Sequence, residues 1–313
     1  GDPNTFDVPK FSEDCLYLNL WRPKGIKKDL PVIVYIHGGS NKAGWSYEPN
    51  YLGHNIARQD FILISIPYRL GIFGFFSHPE IESPNLALFD QLIALEWIQK
   101  YVSFFGGDPS NITLIGESAG AGGISHLIAS PLSKNLFHKA IHQSGGSSFT
   151  YPTLRSQAEA LADQFSKSFE DPSIKNLRRI SADKILEVSE NVFAGHYFNY
   201  VIDGFSIKQS LSEAYENGNI QNVDLIIGSN NDEWSLYFDG NVDVDLWLDQ
   251  EVSKEKKAIL LELLVGVDNP IRKMDLLITA KNFVCPSLFM AKTLRENGNK
   301  TWVYQFNRVR DDE

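Results

Sequence analysis

The sequence predicts an α/β fold, a mostly parallel central sheet with helices on both faces. Three observations predict it. Strand-like and helix-like segments alternate along the 313 residues, which is the pattern of a largely parallel sheet. Several of the strand-like runs are apolar without a break, as in strands buried on both faces. A glycine-rich turn joins one such strand directly to a helix of small residues. A chain of this size buries about three quarters of its unfolded surface, and 43% hydrophobic residues supply a core to match. One domain spanning 1–313 is expected, because no repeat, low-complexity tract or linker divides the chain.

Taken in order, Cys15 to Trp21 alternates Leu16, Leu18 and Leu20 with Tyr17, Asn19 and Trp21, a half-buried strand. Val32 to Ile36 and Phe61 to Ile66 are the continuous apolar strands. Leu88, Leu92, Leu95, Trp97 and Ile98 recur at helical spacing, and Asp108-Pro109-Ser110 marks a turn after that helix. Ile112 to Ile115 is a strand that runs into Gly116 and the small-residue helix. Lys139 to His142 and Leu225 to Ile227 are further short strands, and 155–190 and 246–297 read as mostly helical.

Lys and Arg number 29 against 39 Asp and Glu, a formal net charge of −10. That balance argues against nucleic acid and anionic membranes as partners, since phosphate binding needs clustered Lys and Arg. The apolar runs are strand-length, so no membrane span is expected. Gly1-Asp2-Pro3-Asn4 carries neither a basic nor an apolar leader pattern. Cys15 and Cys285 lie far apart and have no metal or redox spacing. Neither a metal nor another cofactor is expected.

Gly116-Glu117-Ser118-Ala119-Gly120 is a G-x-S-x-G sequence between a strand and a helix. A sharp turn there holds its central serine in a strained conformation and needs small neighbours so that the chains can pass. Five common residue types match by chance often; the strand before and the helix after are what lift Ser118 to a candidate nucleophile. His37-Gly38-Gly39-Ser40 follows the strand Val32 to Ile36, as an HGG-type oxyanion loop does. By itself it reads as a Gly-Gly turn.

These blocks, in this order, resemble the type B carboxylesterases, the cholinesterase-like branch of the α/β-hydrolase fold. The resemblance also rests on Ser12 to Asn19, Tyr68-Arg69-Leu70-Gly71, Asp90-Gln91, Phe105 to Pro109, Gln143-Ser144-Gly145, Asn231-Asp232-Glu233 and Phe283 to Pro286. It covers nearly the whole chain. It implies a serine carboxylic-ester hydrolase that acts on small-molecule esters through an acyl-enzyme. Ser118 matches the nucleophile, Glu233 the triad acid, and Gly39, Ser40 and Ala119 the oxyanion donors. Ser40 stands where many members have a third glycine, which narrows the acyl pocket. Glu117 and Ser144 match a buried supporting network, and Glu13 and Arg69 a structural ion pair.

In the family the chain order is serine, acid, histidine. All seven histidines here, the last of them His196, precede Glu233. The resemblance therefore implies a domain that lacks, within 1–313, its N-terminal segment and the C-terminal part carrying the catalytic histidine. It likewise puts the disulfide partners of Cys15 and Cys285 outside the chain. A non-catalytic binding or adhesion module, or an inactive fragment, is the alternative reading. The intact serine turn stands against it and the absent histidine for it.

Overall fold

The structure, a computed structural model, describes residues 11–25, 27–150, 152–238 and 240–308; Gly1-Asp2-Pro3-Asn4 lies outside them. Its centre is a seven-stranded sheet of β1 (Asn19–Trp21), β2 (Leu30–Ile36), β3 (Ile62–Ile66), β4 (Gly107–Glu117), β5 (Lys139–Gln143), β8 (Asp224–Asn230) and β9 (Thr301–Phe306), in spatial order β1-β3-β2-β4-β5-β8-β9. A separate two-stranded ribbon pairs β6 (Thr153–Leu154) with β7 (Val201–Ile202). All pairings in the main sheet are parallel except that of β1 with β3. The predicted fold class is the observed one.

The two faces of the sheet differ. Val32, Val34, Ile36, Ile112, Leu114, Leu225 and Ile227 are fully buried. They lie under the Leu86–Tyr101, Ala119–Ala129 and Cys285–Glu296 helices, which bring Leu88, Leu95, Ile98, Leu127, Met290 and Leu294 into one core. Each such side chain contributes roughly 1.5–3 kcal/mol on burial. The opposite face is more open: β2 alternates buried and half-buried positions, and Ile226 and Trp302 are exposed. So β2, read as buried on both faces, is buried on one. β3 is buried along its whole length.

Two other expectations shift. The first strand is shorter than Cys15 to Trp21, because only Asn19, Leu20 and Trp21 find partners on β3, while Tyr17 N–H turns back to the Cys15 carbonyl. The Asp108-Pro109-Ser110 turn falls inside β4. The Asp108 carboxylate accepts from the Ser110 N–H and hydroxyl at 2.8 and 2.6 Å, and the register jumps from Leu30↔Gly107 to Val32↔Ile112. The turn is a bulge within a strand. Cys15 and Cys285 are both free and exposed.

The run Pro270–Glu296 has the length and apolar content of a membrane span, yet it packs Met274, Leu277, Met290 and Leu294 into the interior as a core helix does.

Three buried histidines make stability depend on pH. Burial lowers His37 and His142 to about 4 and His126 to about 3 from an ordinary 6.5. The folded state therefore holds them neutral where the unfolded chain would protonate them. Stability from each is complete above pH 6.5 and is lost as pH falls from there toward the folded value. At pH 5 the loss is about 2 kcal/mol for each histidine. Denaturant unfolding at pH 7.5 and pH 5.0 checks this: the midpoint should drop sharply at pH 5.0, and an unchanged midpoint would contradict it.

Candidate active site

Ser118 sits at the turn between the end of β4 and the Ala119–Ala129 helix, with φ 52° and ψ −123°. A non-glycine residue in that region is strained and persists only where its surroundings hold it. Here they do: the Ser118 N–H donates to the Gln143 carbonyl at 2.9 Å, and the Ser118 carbonyl accepts from Gly122 N–H at 2.9 Å. The Ser118 side chain caps none of the helix N–H groups, so its hydroxyl is left to the site. Ala119 N–H is the first of the helix's unpaired donors, where the helix dipole favours negative charge.

The loop after β2 lies directly against this turn. A Cβ on Gly38 would come within 2.6 Å of a Glu117 carboxylate oxygen and 3.1 Å of the Ser118 Cβ. Gly39 has φ +111°, and a Cβ there would meet the Ala43 carbonyl at 2.2 Å, so only glycine fits. Ser40 and Asn41 also have positive φ, 55° and 58°. The loop is pinned by Lys42 and Ala43 N–H groups on the Gly39 carbonyl at 3.0 and 2.9 Å, and by Gly71 N–H on the Asn41 carbonyl. The Asn41 amide reaches the Phe198 carbonyl at 2.8 Å. His37 is buried beneath it, stacked on Tyr68 with ring centroids 4.6 Å apart, and bonds the Gly38 carbonyl at 2.8 Å. Gly39 and Ser40 remain exposed.

Glu233 follows β8. Its two carboxylate oxygens accept from the Asn230 backbone N–H at 2.7 Å and the Asn230 side-chain amide at 3.2 Å. Its charge reaches Glu117: desolvation first, then Glu233 and Glu48, hold the Glu117 carboxyl above its usual range. The acid and the residue preceding the serine thus share one end of the sheet. Glu117 is exposed as a residue while its carboxylate lies against Gly38 of the loop, so it is desolvated only in part and not buried as expected; its strand is central, but its side chain points to the more open face. Ser144 is buried, with φ 54°. Its N–H donates to the Gly228 carbonyl at 2.9 Å, tying the end of β5 to β8.

Arg69 does not pair with Glu13. It forms a two-pronged ion pair with Asp90, Nε to Oδ2 and Nη2 to Oδ1 both at 2.7 Å, and its own backbone N–H adds a third bond at 3.0 Å. Asp90 projects from the Leu86–Tyr101 helix straight at the guanidinium fork, whereas Glu13 lies exposed on the irregular segment before β1. The fork geometry decides the partner.

Sequence reasoning missed the anchor of the acid loop. Asp275, fully buried on the Pro270–Thr279 helix, accepts from Trp234 N–H at 2.7 Å and from Arg272 Nη1 at 2.8 Å. Thr279 Oγ1 accepts from Glu233 N–H at 3.2 Å, and Arg272 also pairs with Asp232. The residues on both sides of the Glu233 side chain are therefore fixed to one helix. The available signal was an aspartate set among the apolar positions Met274, Leu277 and Ile278, where a carboxylate is found only when paired.

No histidine among the described residues is hydrogen-bonded to Ser118 or Glu233. His142 bonds the Ser125 hydroxyl at 2.9 Å, His138 the Ile112 N–H and His78 the Glu80 N–H. His126 packs at a tilt on Tyr200, His54 edge-on against Trp21 and His196 at a tilt against Phe193, and His37 serves the loop as above. Among the described residues no group of His, Cys, Asp and Glu has the arrangement of a metal site.

Comparison with known proteins identifies the family. The model of the carboxylesterase family matches residues 2–313. The para-nitrobenzyl esterase of Bacillus subtilis is 36% identical over 83% of this chain and 54% of its own length. Carboxylesterase 1C of Mus musculus is 31% identical over 95% of this chain and 59% of its own. Among solved structures, a carboxylesterase of Geobacillus stearothermophilus superposes with a TM-score of 0.87 at 28% identity, over 96% of this chain and 66% of that one. The chain thus spans between half and two thirds of the length of these relatives.

Proposed function

The chain belongs to the carboxylesterase family, and from that premise we propose that it hydrolyses small-molecule carboxylic esters with Ser118 as the nucleophile. The observation that carries the proposal is the strained Ser118 at φ 52° and ψ −123°, held at a helix N-terminus with the Gly38–Ser40 loop against it. In this reading the Ser118 oxygen attacks the acyl carbonyl and gives its proton to a base. The tetrahedral oxyanion takes hydrogen bonds from the N–H groups of Gly39, Ser40 and Ala119. The alcohol leaves with the proton held by the base, and water releases the acid from the acyl-enzyme. Glu233 orients the base and stabilises its cation. The Ser40 side chain narrows the acyl side, so short acyl groups are favoured over bulky ones. A binding module without catalysis has no use for a strained serine beside such a loop, and the family match does not favour it.

No histidine among the described residues bonds Ser118 or Glu233, so we assign the base to protein outside residues 1–313, packed on the open face beside Glu117 and Glu233. Hydrolysis of p-nitrophenyl acetate tests the assignment. Residues 1–313 alone are expected to turn over on the order of 10⁴-fold more slowly than the chain extended by its downstream sequence. Vigorous turnover by 1–313 that vanishes with Ser118→Ala would instead place the base among the groups described above.

A further inference from the structure

A cavity of about 500 Å³ opens at the far end of the helix that begins at Ser118. It lies between the C-terminus of the Ala119–Ala129 helix, the Pro131–Ser133 turn, residues 207–209 and the Leu211–Glu216 helix with the loop that follows. Its volume is in the range that holds a small organic ligand. Ile128, Ile207, Ala214 and Ile220 make its apolar wall, while Lys134, Lys208, Gln209 and His126 supply the polar lining.

The free hydrogen-bonding capacity of that lining is mostly donor. The helix-end carbonyls are already taken: Leu127 O accepts from Gln221 Nε2 at 3.2 Å and from the Ser133 hydroxyl, Ile128 O from Gln221 N–H at 3.0 Å, and His126 O from Ser130 N–H at 2.8 Å. By contrast, the Gln209 Nε2 and both ring nitrogens of His126 are buried without a hydrogen-bond partner; the neutral His126 ring offers one N–H donor and one acceptor and is only 5% exposed. Lys134 and Lys208 are exposed and take part in none of the ion pairs among the described residues. Buried polar groups are ordinarily satisfied, and donors with no acceptor ask for an anionic one.

We propose that this cavity is a second binding site, for a small apolar carboxylate. The carboxylate would lie between Lys134, Lys208 and the Gln209 amide, with His126 beneath it, and the hydrocarbon body against Ile128, Ile207 and Ile220. The site is independent of the ester chemistry at Ser118 and does not rest on it.

Isothermal titration of the full chain with hexanoate tests the proposal, with acetate as the probe that lacks a hydrocarbon body. Hexanoate is expected to bind saturably and acetate at least about tenfold more weakly. Lys134→Glu with Lys208→Glu should weaken hexanoate about tenfold or more, as the loss of charge-assisted hydrogen bonds does. Both lysines are exposed, so the thermal midpoint without ligand should stay where it is and report an intact fold. Gln209→Leu, which keeps the charges, should also weaken binding. Absence of saturable binding, or binding that the lysine pair leaves unchanged, overturns the proposal.

Discussion

Replacing Ser118 by alanine is expected to lower kcat for p-nitrophenyl acetate by on the order of 10⁴ to 10⁶ in protein that holds its base, with little change in KM. The Ser118 hydroxyl is the only group in the account that forms a bond to substrate. Under the proposed mechanism the N–H groups of Gly39, Ser40 and Ala119 would still polarise an ester for attack by water, which would leave a residual rate. The backbone should be indifferent to the change. Alanine meets the same cost at φ 52° as serine does, and the bonds that hold the turn run through Ser118 N–H and carbonyl. Steady-state kinetics and a thermal melt check both halves. A variant that keeps most of its turnover, or that unfolds, contradicts the assignment.

The second large effect concerns Gly120. A Cβ there would come within 2.1 Å of the Ile36 carbonyl and 2.6 Å of the His37 carbonyl. Both are backbone atoms of β2 and the loop that follows it, so neither can turn aside. Gly120→Ala must push the helix away from β2, and overpacking of this kind costs about 1–3 kcal/mol, here toward the upper end because both contacts are with backbone. Gly122, two residues on in the same helix, is the internal comparison. Its Cβ would meet Ser148 Cβ at 3.4 Å, an ordinary contact. Gly122→Ala should therefore be tolerated, and gains up to about 1 kcal/mol from helix propensity. Chemical denaturation of the two variants should separate them widely; equal stabilities would contradict the close packing of helix on strand.

Legibility of the fold followed the range of the interactions involved. The strands Val32 to Ile36 and Ile112 to Ile115, and the turn at Ser118, are specified by adjacent residues, and they stand where the sequence places them. The reach of β1 was not legible, because alternation in Cys15 to Trp21 continues past the point where β3 still offers a partner. The same holds for Arg69, whose partner Asp90 was in view as a family block but is selected by a helix facing the guanidinium. The Glu233 loop is the clearest case. Its anchors Asp275 and Thr279 lie more than 40 residues away, and nothing local to Asn231-Asp232-Glu233 announces them. The exposure of Glu117 depends on which face of the sheet the helices cover, a tertiary property that strand patterning does not carry.

The central claim is that Ser118 is an activated nucleophile, and active-site phosphonylation measures that directly. Protein that hydrolyses p-nitrophenyl acetate is treated with a fluorophosphonate, and the intact mass and the modified peptide are read by mass spectrometry. The account predicts one adduct, on Ser118 of Gly116-Glu117-Ser118-Ala119-Gly120, forming in step with the loss of turnover. Loss of turnover with the label on another residue, or continued turnover with Ser118 fully labelled, would contradict it.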